Sequence, residues 1–255
     1  MWHNLSTMND SKPLSRMYFS GALAAHGAGR IAPEEAHHLV HVLSLATGDA
    51  LTLFDGQGTE YDVRIESVGK TGVSFRVLAQ RTVSRESALN ICVAQGISSG
   101  ERMDYTVQKA VELGVTALQP LATQRSVVRL DAQRAARRVA HWQAVAVAAC
   151  EQCGRNQIPR VAPVMPLEKW LGEARDYAAT RLVLSPTGEQ RLTQLVRPRD
   201  TVWLLAGAEG GFTADELAAA ASVGFASVRL GPRILRTETA AIAAIAAMQA
   251  LWGDF

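Results

Sequence analysis

The chain has 255 residues, 48% of them hydrophobic, and a formal charge of +2, a make-up that suits one large globular domain or two modest ones. No apolar run approaches the ~18 residues of a membrane-spanning helix, and the opening MWHNLSTMNDSKPLSRMYF has no basic start leading into an apolar stretch, so a secretory signal is not expected. Three cysteines, Cys92, Cys150 and Cys153, are too few for a disulfide framework and suit a reducing cytoplasm.

Residues 1–14 read as a polar tail. From 15 to 86 the pattern is short β-like runs punctuated by turns. LTLFDG and GTEYDVRIESV flank the turn Asp55-Gly56-Gln57-Gly58, and GVSFRVLA follows Lys70-Thr71-Gly72. In YDVRI, Tyr61, Val63 and Ile65 alternate with Asp62 and Arg64, the period-2 mark of a half-buried strand. One helix is predicted from Pro33 to about Leu45, with Pro33 in its first turn. The segment is expected to form a small β-barrel.

From 87 to 255 apolar runs alternate with helical patterns. LNICVAQ reads as a buried strand, and Ser98 and Glu101 stand at capping-box spacing ahead of a helix closed by Gly114. After the strand-like VTALQPL, a long helix is predicted over Asp131 to Cys153. RLVLS, TVWLLAG and ASVRLG follow as short buried strands, and Thr213 and Glu216 make a second capping box. Strands alternating with helices predict an α/β fold with a mainly parallel sheet covered on both faces.

Several polar features stand out. Between Gln124 and Arg160, seven arginines face two acids; such a stripe is either a phosphate-binding surface or a solvated helix face. GAEGGF (Gly207 to Phe212) lies between a buried strand and a capped helix, where open α/β sheets bind ligands. It matches neither GxGxxG nor a Walker loop, and a plain tight turn is the competing reading. Glu209 in that loop suits a helix N-terminus as well as a ligand. Cys150 and Cys153 have CxxC spacing without a second ligand pair, and His37 and His41 lack the glutamate of an HExxH site, so no metal is expected. Gln152, Arg155 and Asn156 beside the cysteines have the chemistry to read a base or a phosphate. Finally, LGPRILRTETA places Arg233, Arg236, Thr237, Glu238 and Thr239 directly before an alanine-rich helix. A helix so apolar all round is expected to be buried, in its own domain or against a second subunit.

GAEGGF followed by LGPRILRTETA resembles the RsmE family of 16S ribosomal RNA uracil-N3 methyltransferases. The likeness extends to GERMDYTVQKAVELGV, EQCGRN and LFDG, and covers the chain from about Arg16 to Phe255. It implies a PUA-like RNA-binding barrel over 15–86 and a SPOUT methyltransferase domain over 87–255. A SPOUT domain carries a trefoil knot, binds S-adenosyl-L-methionine (SAM) in the knotted loops, and works as a cytoplasmic homodimer. Carried onto this chain, the resemblance assigns Gly207, Glu209, Gly210, Gly211, Leu230, Gly231, Ile234, Leu235 and Thr239 to the cofactor site, with Leu184 and Ser185 as a third wall. The family usually has proline where Ala208 stands and tends to have arginine where Ser44 stands.

The implied chemistry is methylation of uracil N3 in the decoding region of 16S rRNA, with the assembled 30S subunit as substrate. Arg236 or Arg155 is expected to neutralise the uracil oxygens, and Glu238 or Glu209 to orient that arginine or handle the N3 proton. Arg125, Arg129, Arg134, Arg137 and Arg138, with Gln152 and Asn156, are the candidate RNA-binding residues. The alternatives are a non-catalytic RNA-binding or ribosome-assembly factor, and a methyltransferase for another RNA site.

Overall fold

The computed structural model describes residues 15–37, 39–40, 43–126, 130–175 and 178–255. It divides into two compact units. The first runs through Arg85 and also takes Gly154–Gln157; the second comprises Glu86–Cys153 and Ile158–Phe255. A division expected near residue 86 therefore has an addition that local patterning did not announce: four residues after the long helix belong to the first unit.

In the first unit, β1 (Arg16–Tyr18), β2 (Ala28–Ile31), β3 (Ala50–Phe54), β4 (Thr59–Gly69) and β5 (Gly72–Thr82) form a sheet in the order β1-β3-β4-β5-β2. All pairings are antiparallel except β1 with β3. Tyr61, Val63 and Ile65 of β4 are buried, and Asp62 and Arg64 between them are more exposed, as the alternation requires; Glu60 before them is buried as well. They pack with Leu51, Leu53, Phe75 and Val77. The β3–β4 turn is held by Asp55, whose Oδ1 accepts the N–H groups of Gln57 and Thr59 at 2.7 and 3.1 Å. Gly56 and Gly58 take the positive φ values (75° and 115°) that this turn needs. The helix predicted from Pro33 to about Leu45 is shorter: α1 covers Pro33–His37, and residues 43–45 are not helical, with Ser44 at φ 53°; His38 and His41 lie outside the described residues.

The second unit holds β6 (Ile91–Gly96), α2 (Glu101–Glu112), β7 (Ala117–Ala122), α3 (Ala132–Cys153), β8 (Arg160–Val161), β9 (Met165–Pro166), α4 (Leu167–Ala174), β10 (Ala179–Leu184), β11 (Gln190–Arg191), β12 (Thr201–Ala206), α5 (Ala214–Ser222), β13 (Ala226–Arg229) and α6 (Thr237–Trp252). Its sheet runs β11-β13-β10-β12-β6-β7-β8, with β9 also on β7, and its pairings are parallel. Chain order reverses inside it. β12 lies between β10 and β6, and β13 lies on the far side of β10, so the loops leaving β10, β12 and β13 emerge together at one sheet edge.

Two predicted caps turned out differently. Thr213 and Glu216 form the expected reciprocal box at the start of α5. Ser98 and Glu101 do not: Gly100, at φ 54°, is the N-cap of α2 without a side-chain bond. Ser98 is instead buried beside Thr237, and Ser99 turns to Glu209. Tertiary partners outbid a local cap worth about 1 kcal/mol.

Helix α6 is buried on one face only. Ala241, Ala244, Ile245, Met248 and Trp252 are enclosed, whereas Ile242, Ala243, Ala246 and Ala247 are half-buried, and Thr239, Ala250 and Leu251 are exposed. Its buried Gln249 is satisfied at both ends: Nε2 donates to the Leu113 carbonyl, and Oε1 accepts from the Ser87 hydroxyl, each at 2.8 Å. That pairs the one amide side chain of α6 with the C-terminus of α2.

Candidate active site

A cavity of about 490 Å³ opens where the three loops meet, a size typical of small-molecule sites. Leu184, Ser185 and Pro186 after β10 form one wall, Gly207 to Phe212 after β12 a second, and Leu230 to Thr237 after β13 a third. Leu217, Val228 and Leu235 make part of the lining apolar, while Arg102, Arg125, Arg233, Arg236 and Glu238 add charge.

The glycine loop is shaped by close backbone approach. A Cβ on Gly207 would lie 3.0 Å from the Gly211 Cα, and one on Gly210 would lie 2.8 Å from the Arg125 Cβ. Gly211 and Gly231 adopt φ of 65° and 101°, where side chains are strained. The loop closes on itself through the Gly211 N–H to the Ala208 carbonyl at 2.9 Å. Across the first wall, the Ser185 hydroxyl is paired with Thr187 Oγ1 at 3.0 Å, and the Ser185 N–H bonds the Val228 carbonyl at 3.0 Å, joining the β10 and β13 exits.

Beneath the cavity lies a polar node. Gln95, fully buried at the end of β6, directs Nε2 to the Gly207 carbonyl (2.9 Å), the Gly96 carbonyl (3.0 Å) and Thr237 Oγ1 (3.0 Å). The Thr237 hydroxyl itself donates to the Gly207 carbonyl. The glycine loop and the start of α6 therefore meet at one oxygen.

Glu209 faces the turn before α2. Its Oε1 accepts the Ser99 N–H at 2.8 Å, the Ser99 hydroxyl at 2.7 Å and Arg102 Nη1 at 3.0 Å. Burial acts to raise its pKa, but the Ser99 N–H and hydroxyl, its own N–H and the Arg102 guanidinium outweigh that and hold it at about 2. A carboxylate so committed stays ionised at neutral pH and is a poor proton acceptor. Glu238 differs: it lines the cavity, and its Oε2 is buried with no hydrogen-bond partner among the described residues. Arg236, the N-cap residue of α6, is exposed on the same wall and makes no capping bond. Both residues border the cavity.

The remaining sequence candidates distribute unevenly. Leu184, Ser185, Gly207, Glu209, Gly210, Gly211, Leu230, Gly231, Ile234 and Leu235 all line the cavity, whereas Thr239 is exposed one turn along α6 and does not; Thr237 and Ala240 do. Arg125 also borders it, with Nη1 donating to the Gly210 carbonyl at 3.1 Å. Arg134, Arg137, Arg138 and Gln152 are exposed on α3, and Arg129 lies outside the described residues. Arg155 and Asn156 are buried, 4% and 1% exposed. The Asn156 amide is committed at both ends, accepting from Arg16 and donating to Glu60 and the Val83 carbonyl. A base-reading role for Asn156 is thus replaced by a structural one, and Arg155 is not among the cavity-lining residues.

Sequence reasoning passed over Gln95, Ser99 and Arg102. Gln95 had a signal, as the one polar side chain closing the apolar run ICVAQ. Ser99 and Arg102 had none, because their partner Glu209 is 110 and 107 residues away.

Residues 85–249 match the model of the RNA methyltransferase domain family, and residues 31–78 match that of the RNA methyltransferase PUA domain. The ribosomal RNA small subunit methyltransferase E of Buchnera aphidicola is 30% identical over 98% of each chain. Among solved structures, the ribosomal RNA small subunit methyltransferase E of Neisseria gonorrhoeae bound to SAM is 40% identical, with a TM-score of 0.88 over 95% of this chain and 99% of that one. A methyltransferase from Legionella pneumophila in complex with SAM is 38% identical, with a TM-score of 0.91 over 96% and 100%.

Proposed function

The chain belongs to the ribosomal RNA small subunit methyltransferase E family, and from that premise we propose that it methylates N3 of a uridine in the decoding region of 16S rRNA, using SAM. The observation that carries this reading is the three-loop cavity, in which the GAEGG and LGPRILR segments face one another.

The residues present fit such a cofactor. The absence of a Cβ at 207 and 210 lets the loop pack tightly on Gly211 and Arg125, which fixes the main chain that lines the cavity. Leu217, Val228 and Leu235 offer apolar contact for an adenine ring. SAM supplies an electrophilic methyl group when bound.

The protein's own work is at the nucleophile. Uracil N3 carries a proton at neutral pH, so its lone pair is released only with loss of that proton, and the resulting charge spreads to the two flanking oxygens. Arg236, permanently charged and forked, neutralises those oxygens. Glu238 accepts the N3 proton or hands it to water. Glu209 does not take this role, because three donors hold it ionised; it fastens the glycine loop instead. N3 lies on the Watson–Crick edge, so a paired uridine must be exposed or flipped to reach the site. Arg134, Arg137, Arg138 and Gln152 hold the RNA backbone, together with the PUA-like unit.

A knotted path through the cavity loops and a homodimer belong to the same reading. The half-open face of α6, with Ala243, Ala246 and Ala247, lets a second helix approach closely. The assembled 30S subunit is the favoured substrate. The deciding experiment is mass spectrometry of small-subunit RNA from cells with and without the protein. Loss of one N3-methyluridine, restored by the purified protein with 30S particles and SAM, is the expected result. An unchanged methylation pattern sinks the reading in favour of a non-catalytic factor, and loss of a different modification moves the target.

A further inference from the structure

We propose that Gln95 is a positioning residue for the cofactor site, setting the separation of two cavity walls through their shared oxygen, the Gly207 carbonyl. The proposal rests on the reading that this cavity takes SAM. Gln95 does not line the cavity; it acts through Gly207 and Thr237, which do.

The hydrogen-bond count defines the arrangement. One amide nitrogen with two hydrogens lies within 3.0 Å of three oxygens. Two of these are carbonyls, which accept only, so the amide orientation is determined: turned over, it would set Oε1 against both. The Thr237 hydroxyl gives its hydrogen to the Gly207 carbonyl and keeps lone pairs for Gln95 and Ser98. Gly207 ends the strand-to-loop passage after β12, and Thr237 opens α6. Their contact fixes the GAEGG wall against the RTET wall, and Gln95 ties both to the end of the central strand β6.

A positioning role is favoured over plain core packing by the other end of the same side chain. Gln95 Oε1 is buried with no partner among the described residues. An unsatisfied buried oxygen is a penalty that leucine would not carry, since leucine fills similar space without a polar atom. In an otherwise apolar strand, glutamine leaves one oxygen unmatched while its nitrogen holds two carbonyls and a hydroxyl in register. Substitution should separate the two effects.

The test is isothermal calorimetry with SAM and thermal melting on the full chain, for wild type, Gln95→Leu, Thr237→Val and Thr237→Ser. Gln95→Leu should still fold, since Thr237 and Ser98 continue to donate to the Gly207 and Gly96 carbonyls, yet bind SAM about tenfold more weakly. Thr237→Val should show a similar loss, Thr237→Ser should restore affinity to within about threefold, and the double variant Gln95→Leu/Thr237→Val should be no weaker than the worse single one, because both act on one node. Wild-type affinity in Gln95→Leu overturns the proposal. Should that variant fail to fold, the Thr237 pair decides: equal affinities for Val and Ser overturn it. Absence of SAM binding by the wild type sinks the methyltransferase reading and this proposal with it, whereas normal wild-type binding with an indifferent Gln95→Leu removes the positioning role alone.

Discussion

Arg16 Nη2 donates to Asn156 Oδ1 at 2.6 Å across 140 residues of sequence. The bond is part of a cluster around Glu60, a carboxylate only 3% exposed. Glu60 accepts from Arg16 at 3.0 Å, Arg85 at 3.1 Å, Asn156 at 3.2 Å and Arg81 at 3.3 Å. Through it the first strand, β4, the end of β5 and the Gly154–Gln157 segment are joined within one unit. Arg16 also stacks over Phe54, with its guanidinium carbon 5.1 Å from the ring centre.

Glu60→Gln should destabilise the first unit by about 3 kcal/mol, because it strands the largely buried Arg16 guanidinium without an anion. Chemical denaturation followed by circular dichroism measures this. A loss under about 1 kcal/mol would show the cluster to be ornamental.

Acid stability follows from the same carboxylate. Burial opposes ionisation of Glu60, but bonds from Arg16, Asn156 and Arg85 bring its pKa from 4.5 to about 2. A depressed carboxylate contributes stability that is complete above the unfolded value and vanishes as pH falls through the folded one. The contribution should therefore be constant above about pH 4.5 and be lost between there and about pH 2. Glu60→Gln should flatten the stability profile in that window, and unfolding free energies measured from pH 6 to pH 2.5 provide the check.

Gly210→Val should reduce SAM affinity at least tenfold. The first side-chain carbon would already meet the Arg125 Cβ at 2.8 Å and the Arg125 carbonyl at 3.1 Å, so the loop must move. Calorimetry reads the outcome, and an unchanged affinity refutes the assignment of the cofactor to this loop.

Glu209 and Glu238 should separate by effect. Glu238→Gln should lower single-turnover methylation about a hundredfold with SAM affinity within a few fold of wild type. Glu209→Ala should weaken SAM binding through the loosened loop. Because Glu209 is already ionised far below neutrality, Glu209→Gln should leave the shape of the rate profile between pH 6 and pH 9 unaltered. A proton-transfer signature lost in Glu209→Gln would reverse the two roles.

Arg236→Ala should cut turnover about a hundredfold or more while changing SAM affinity less than threefold. Rapid-quench single-turnover assays with 30S subunits test it. Near-normal rates would move the uracil-oxygen contact to another cation of the cavity, Arg102, Arg125 or Arg233.

Local sequence determined what local physics controls. The alternation in YDVRI, the Thr213–Glu216 cap, the positive-φ turn at Gly56 and Gly58, and the alternation of strands and helices after residue 87 all depend on neighbours within a few residues, and each is present. The cavity loops were legible for a related reason: glycines and prolines at strand exits mark sharp turns wherever the chain goes next. Tertiary structure decided the partners of the polar side chains. Ser98 forgoes its cap for Thr237, Glu209 finds Ser99 and Arg102, and Asn156 turns from a candidate base reader into a buried partner of Arg16 and Glu60. Each of these bonds spans more than 90 residues. The cost of burying a polar group is settled only when the sheet order brings its partner within reach, so no window of sequence contains the answer.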